Sequence, residues 1–254
     1  MNHKPWEAVF ESCRIDRHDF SQAPFLLTAE HIKRATAHFS ATTEREVRVL
    51  CKQDTREDRP NIFREKDLFL LPIKNGTYII LQGDGYVDIP QINSRVEVYK
   101  SRLDFELDTS KAGNSEMQHL DFAYASSLIR SFLDDPTLVL TIRGRKYTPR
   151  FEFTAGKYRQ KITVEGVQTE VDAGYEGKNQ VVLIEAKNSY SSNTIIRQLY
   201  YPYRQWKSHT HKEVRLLFFE KRKSVYSLYN FEFTDIYNYD SIKLAGCKRY
   251  EIVQ

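Results

Sequence analysis

The chain has 254 residues, of which 41% are hydrophobic and 13% aromatic, enough apolar material for a core in one or two domains and too much for a disordered polypeptide. A net charge of +4 does not by itself name nucleic acid as partner; no apolar run approaches a membrane span, and the start Met1-Asn-His-Lys-Pro-Trp6 lacks the apolar core of a signal peptide, so a cytoplasmic protein without membrane association is expected. Cys13, Cys51 and Cys247 are odd in number and lack Cys-X-X-Cys spacing, which argues against a disulfide framework and against zinc.

Thr28 to Phe39 has helical spacing with Thr28 as N-cap. The pieces between Thr42 and Asp67 fit helix or strand, with a charged loop from Asp54 to Pro60. Leu68–Ile73 and Thr77–Leu81 flank Lys74-Asn75-Gly76, a strong hairpin signal, and Gly83-Asp-Gly85 marks a further hairpin or loop. Helical pieces followed by a hairpin would fit a winged-helix module, a common DNA reader.

From Asn114 the pattern sharpens. Ser115-Glu-Met-Gln118 is a capping-box arrangement that opens a long helix, with Met117, Leu120, Tyr124, Leu128 and Phe132 near one stripe of it. Strands are predicted at Leu138–Ile142, Phe151–Thr154 and Ile162–Val164, then a pair of strands around a glycine turn, then a helix from about Asn193 that kinks or stops at Pro202. On that helix Ile195, Leu199 and Trp206 are expected inside, with Arg197, Tyr201 and Arg204 on the other side. Val214–Phe219 and Val225–Phe233 complete the strands.

The strand pair carries the chemistry. In Gln168-Thr-Glu-Val-Asp172 a period of two puts Gln168, Glu170 and Asp172 on one face. Val181-Val-Leu-Ile184 is an uncharged run, as in a strand buried on both sides, and it ends abruptly in Glu185-Ala186-Lys187. The turn Gly174-Tyr-Glu-Gly177-Lys-Asn179 would return the second strand antiparallel beside the first and bring Asp172 to Glu185. Two carboxylates in a low-dielectric pocket repel unless a hard cation such as magnesium joins them, with the Ala186 carbonyl as a further oxygen. Lys187 would then lie where an ammonium stabilises a phosphorus centre gaining charge. A solvated ion pair would give no reason for the aliphatic run. Upstream, seven basic residues against the single acid Glu152 lie between Arg143 and Lys161, after an acidic stretch formed by Asp104, Glu106, Asp108, Glu116, Asp121, Asp134 and Asp135. Such a segment, with Arg143, Arg145 and Lys146 at its start, would suit a phosphate backbone or a solvated loop.

Asp172, twelve residues, then Glu185-Ala186-Lys187 resembles the PD-(D/E)XK nuclease motif. The flanking Glu-Val-Asp-Ala-Gly and Ile-Glu-Ala-Lys-Asn, with Arg197-Gln198-Leu-Tyr-Tyr-Pro-Tyr203-Arg204 downstream, look like a type II restriction endonuclease over roughly residues 114 to 220. Val171 stands where the family name places proline. The resemblance implies an α/β fold, a mixed sheet flanked by helices in a restriction-endonuclease-like core at 114–254 with a C-terminal β extension, and an N-terminal helical and β-hairpin region at 1–113 that recognises DNA. It implies metal ligands at Asp172, Glu185 and the Ala186 carbonyl, Lys187 as catalytic lysine, Glu170 as second-metal ligand or solvated carboxylate, and Gln198 as DNA- or water-positioning residue or ordinary helix-boundary residue. Arg143, Arg145, Lys146, Arg197, Tyr201 and Arg204 would contact DNA. The implied function is magnesium-dependent (manganese substituting) cleavage of double-stranded DNA by a homodimer with a cognate methyltransferase as companion. The alternatives are a structure-specific nuclease, such as a junction resolvase or repair enzyme, or a catalytically idle DNA-binding module.

Overall fold

Thr28 accepts a hydrogen bond from His31 N at 3.2 Å and its own N–H donates to His31 Nδ1 at 3.4 Å, a reciprocal cap that fixes where the predicted helix begins. The computed structural model describes residues 3–253; Met1, Asn2 and Gln254, and with the first two part of the chain start discussed above, lie outside the described residues. The first unit runs α1 (His3–Cys13), β1 (Phe25–Thr28), α2 (Ala29–Ala35), α3 (Thr42–Arg45), α4 (Val47–Leu50), α5 (Asn61–Glu65), β2 (Leu68–Lys74) and β3 (Thr77–Gln82). The hairpin β2–β3 turns at Asn75-Gly76, where Gly76 takes φ +71°, and β1 adds to β3 to give the order β1-β3-β2. The Thr42–Asp67 pieces, open between helix and strand in the sequence, are the short helices α3, α4 and α5. Trp6, Phe10, Ile32, Leu50, Phe63 and Leu70 close a core inside this unit.

The chain continues with β4 (Tyr86–Asp88), β5 (Glu97–Lys100), α6 (Glu116–Ala125), α7 (Leu128–Phe132), β6 (Val139–Tyr147), β7 (Phe151–Ala155), β8 (Gln160–Val164), β9 (Gln168–Glu176), β10 (Gln180–Lys187), β11 (Asn193–Ile195), α8 (Arg197–Lys207), β12 (Glu213–Arg222), β13 (Val225–Phe233) and β14 (Ile242–Val253). Seven strands form one sheet in the order β5-β14-β13-β12-β10-β9-β6. It is mixed, because β10 runs parallel to β12 and β14 parallel to β5 while the other neighbours are antiparallel. Helices α6 and α7 cover one face, burying Leu120, Leu128 and Ile129 against Tyr175, Val182, Ile184 and Leu217. On the other face α8 brings Leu199 to Val181, Leu183, Leu216 and Phe218. The large mixed sheet flanked by helices is therefore present. Strands β4 and β5, both before Asn114, pair with β11 and β14, both after it.

Several local expectations change. The long helix after Ser115 is two helices, because Ser127 adopts φ +67° and breaks the ladder; Met117 faces solvent, 48% exposed, while Leu120 and Leu128 are fully buried. Gly174 does not belong to the turn but to β9, opposite Leu183, and a Cβ there would meet Ile142 Cβ at 2.6 Å. Asn193–Ile195 is a strand and α8 starts at Arg197, then continues through Pro202 to Lys207. Pro202 removes one donor from the helical ladder and crowds the preceding turn, and packing on both sides of α8 holds the helix across it. Among the described residues no helix is long and apolar enough to cross a membrane.

Candidate functional site

Strands β9 and β10 pair through Ile184 opposite Ala173, and one position further the ladder gives way. There the Asp172 carboxylate takes over, accepting from Ala186 N at 2.6 Å. The side chain thus satisfies a backbone donor that the splitting strands would leave orphaned. Glu185 lies on the other side of this split, 8% exposed, and Lys187 Nζ donates to its Oε1 at 2.6 Å. The motif residues that sequence spacing placed on adjacent strand faces are brought together.

Burial dominates their electrostatics. Glu185 is pushed up to about 7 by removal from water, with the nearby Asp172 charge adding to the effect and Lys187 opposing it. Asp172 is also raised by burial, which outweighs the Ala186 N–H and the Lys187 charge. Burial works against the Lys187 ammonium, but the carboxylates of Glu185, Glu116 and Asp172 outweigh it and hold its pKa above the ordinary lysine value. A buried and a partly buried carboxylate beside one ammonium leave a local excess of negative charge that a divalent cation would relieve. The donors fit a hard cation: carboxylate oxygens and the Ala186 carbonyl, without sulfur or imidazole. Among the described residues no three His, Cys, Asp or Glu side chains converge on one point, so a cation at Asp172 and Glu185 would complete its shell from water and phosphate, as magnesium commonly does.

These groups line a cleft of about 770 Å³. Glu170 and Arg145 lie at its rim, paired at 3.4 Å with both side chains more than half exposed. Gln198 lines it too, and its Oε1 accepts from Thr194 Oγ1 at 2.6 Å, which turns the amide nitrogen away from Thr194. Arg197, at the start of α8, reaches the cleft and lies 3.8 Å from Asp54.

The remaining expected DNA contacts are placed differently. Arg204 is 8% exposed, its guanidinium donating to the Glu152 and Ile236 carbonyls and to Tyr200 Oη, with its plane over Phe151. It ties α8 to the β7–β8 hairpin and faces no solvent. Tyr201 is 1% exposed and donates its hydroxyl to the Pro72 carbonyl at 2.9 Å, although its edge reaches the cleft. Both corrections have one cause: α8 is packed on two sides, so the side opposite Leu199 is buried instead of open, Tyr201 against β2 of the first unit and Arg204 against the β7–β8 hairpin. Arg143 pairs with Asp121 of α6, and Lys161 with Glu152 at 2.8 Å. Lys146 is exposed on β6 and outside the cleft. The basic segment is therefore no continuous surface. It is divided over an edge strand and a separate hairpin, and only Arg145 of it reaches the cleft.

Sequence reasoning missed the opposite wall. Arg48, Lys52, Asp54 and Lys74 of the first unit line the same cleft. It read Glu116 only as part of an acidic stretch, whereas its charge acts on both Asp172 and Lys187 from the first turn of α6. The capping box located that turn in the sequence, but nothing local indicated that it lies at the end of β10, where Asn188 Nδ2 donates to the Asn114 carbonyl at 2.8 Å.

Among known families, residues 81–251 match one described as a domain of unknown function (DUF6997) and residues 3–80 match another described as a domain of unknown function (DUF6996). The two matches abut inside β3. Neither the curated proteins nor the solved structures contain a match to the chain.

Proposed function

We propose that this chain, which belongs to the DUF6997 family, is a magnesium-dependent endonuclease of the PD-(D/E)XK type that hydrolyses DNA phosphodiesters, with a type II restriction enzyme as the leading form. The observation that carries the reading is the convergence of Asp172, Glu185 and Lys187 at the split end of two core strands, inside a cleft that Arg145 and Arg197 also line. Asp172, Glu185 and the Ala186 carbonyl would hold the metal. When bound, a divalent cation lowers the pKa of water and withdraws charge from a phosphoryl oxygen. Lys187 is positioned by Glu185 to donate to a phosphate oxygen as negative charge grows on it. Gln198, oriented by Thr194, offers its amide hydrogens to a phosphate or a water. Arg145 and Arg197 supply phosphate contacts that are independent of sequence.

Double-stranded DNA as substrate, a homodimer that cuts both strands of a palindrome, and a companion methyltransferase belong to this proposal. Helices followed by the β2–β3 hairpin, in the sheet order β1-β3-β2, support a winged-helix-like role for the first unit. A second reading, a nuclease for branched or frayed DNA, draws on the cleft having walls from both units, which suits the entry of one strand.

Digestion of a plasmid and of branched oligonucleotides by the purified protein tests both. Discrete plasmid bands support the restriction form, and preferential cutting of the branched DNA supports the second. Magnesium and manganese should sustain cutting, and calcium should permit DNA binding without it, because its longer and looser coordination activates water poorly. Full activity in excess chelator would remove the metal mechanism.

A further inference from the structure

We infer that the first unit supplies the second wall of the catalytic cleft, with Arg48, Lys52 and Lys74 binding the phosphates that flank the one held at Asp172 and Glu185; the inference rests on the nuclease reading. All three cations are exposed and line the same cleft as the two carboxylates. Their display follows from local sequence. In α4, Val47 and Leu50 are buried in the core of the first unit, which turns Arg48 outward. Lys74 ends β2 immediately before the hairpin turn, and that turn is pinned because Ala29 N donates to the Gly76 carbonyl at 2.8 Å.

Their partners are the second observation. Among the described residues neither Arg48 nor Lys74 has a carboxylate within 4.0 Å, and Lys52 has only Asp54, at 3.7 Å with the lysine side chain 74% exposed. Nearby Arg56, which lies outside this cleft, is by contrast consumed by Asp84 and Asp88. A wall on which, among the described residues, Arg48 and Lys74 lack a carboxylate partner and Lys52 has only Asp54, facing carboxylates across the cleft, leaves room for a polyanion between them. On the catalytic wall Glu170, Asp172 and Glu185 offset Arg145, Lys187 and Arg197, and Arg48, Lys52 and Lys74, against the single acid Asp54, add the net positive charge that draws a polyanion along the cleft.

The wall is also fixed in place. Ile195 N donates to the Asp54 carbonyl at 2.8 Å, Asn193 Oδ1 accepts from Arg56 N at 2.7 Å, and Tyr201 donates to Pro72. These bonds attach the loop after α4 to β11, and β2 two residues before Lys74 to α8, the helix that also carries Arg197 and Gln198. The cleft is therefore preformed. It follows that the first unit takes part in general backbone affinity at the cut site and does not act only in base readout.

The test compares Arg48→Ala/Lys74→Ala with a control pair, Lys33→Ala/Arg34→Ala, on the exposed side of α2 and outside the cleft. Binding to a labelled duplex and to a single strand is measured in calcium at several salt concentrations, with circular dichroism to verify folding. Each lost phosphate contact should flatten the slope of log affinity against log salt by about 0.9 for a duplex or about 0.7 for a single strand. The cleft pair should therefore reduce the loss of affinity between about 50 and 200 mM salt by roughly tenfold on duplex DNA, on cognate and scrambled sequences alike, while the control keeps the wild-type slope. In magnesium the cleft pair should raise KM and leave kcat little changed, as expected of contacts equal in ground and transition states. An unchanged slope in the cleft pair, or equal flattening in both pairs, overturns the second wall and leaves the nuclease reading intact. Absence of nucleic-acid binding by the unsubstituted protein overturns both.

Discussion

At the scale of single residues, the proposed chemistry rests on three ionisable groups, Glu185 buried and Asp172 and Lys187 partly buried. Asp172→Asn, Glu185→Gln and Lys187→Ala are each expected to lower cleavage on the order of a hundredfold or more, since each removes charge stabilisation realised in the transition state. Binding of DNA in calcium should survive Lys187→Ala, and folding should survive all three; near-normal turnover by any of them in magnesium would show the chemistry to lie elsewhere. A different residue carries a pH effect on stability. Glu220, opposite Lys187 on β12, is 3% exposed, and burial raises its pKa above 4.5 although Ser191 N donates to it at 3.1 Å. The folded state therefore keeps the Glu220 proton to higher pH than the unfolded chain does, and the contribution of Glu220 to stability falls as pH rises from about 4.5 through the raised value. Glu220→Gln, which preserves the acceptor for Ser191, should lessen that fall. Urea unfolding at several pH values in that window checks it: equal pH slopes for both proteins would contradict the assignment.

At the scale of elements, β9 and β10 were legible because strand periodicity and an aliphatic run constrain them strongly. Val181–Ile184 can alternate no polar face, so it has to be buried on both sides, and Glu185 and Lys187 then stand at the edge of that burial. The extent of β9 was less legible, since Gly174 has the character of a turn residue. Its actual reason is lateral: Ile142 of β6 lies where a Cβ would be. Gly174→Ala should accordingly cost about 1–3 kcal/mol by overpacking, read as a lower urea midpoint at unchanged m-value. A variant as stable as the wild type would mean that β6 yields at this point. Helix α8 shows the opposite limit. An amphipathic reading of Arg197, Tyr201 and Arg204 assumes one wet face, but Phe69, Phe153, Tyr200 and Tyr239 form a second core there, from segments distant in sequence. Buried Arg204 is satisfied by two carbonyls and a hydroxyl, partners that no local pattern announces. The cations of the opposite wall were illegible for the same reason. Arg48 and Lys74 acquire their significance only from contacts between segments more than a hundred residues apart.

At the scale of the whole molecule, the hairpin β2–β3 belongs to two cores at once. Alternation along its strands directs Leu68, Leu70 and Ile80 into the first unit, while Phe69, Leu71, Ile79 and Leu81 point the other way, to Phe153, Ile162, Tyr200 and Tyr239. A sheet with both faces buried mechanically couples what it separates. Unfolding the first unit would expose the second face of this hairpin along with the far side of α8, and with α8 the walls of the candidate cleft. Thermal and urea denaturation are therefore expected to show one transition, followed identically by far-ultraviolet circular dichroism and by fluorescence of Trp6 in the first unit and Trp206 on α8. A chain truncated to residues 83–254 should lose the apolar cover over Phe153, Tyr200 and Tyr239 and aggregate or bind a hydrophobic dye, since burying four large side chains contributes roughly 1.5–3 kcal/mol each. Two separated transitions, or a soluble truncated chain with native-like near-ultraviolet signal, would show the units to be independent. Asp172, Glu185 and Lys187, the residues proposed to be catalytic, all lie within 83–254, so any nuclease activity of that shorter chain measures how far the cleft depends on the hairpin that forms its other side.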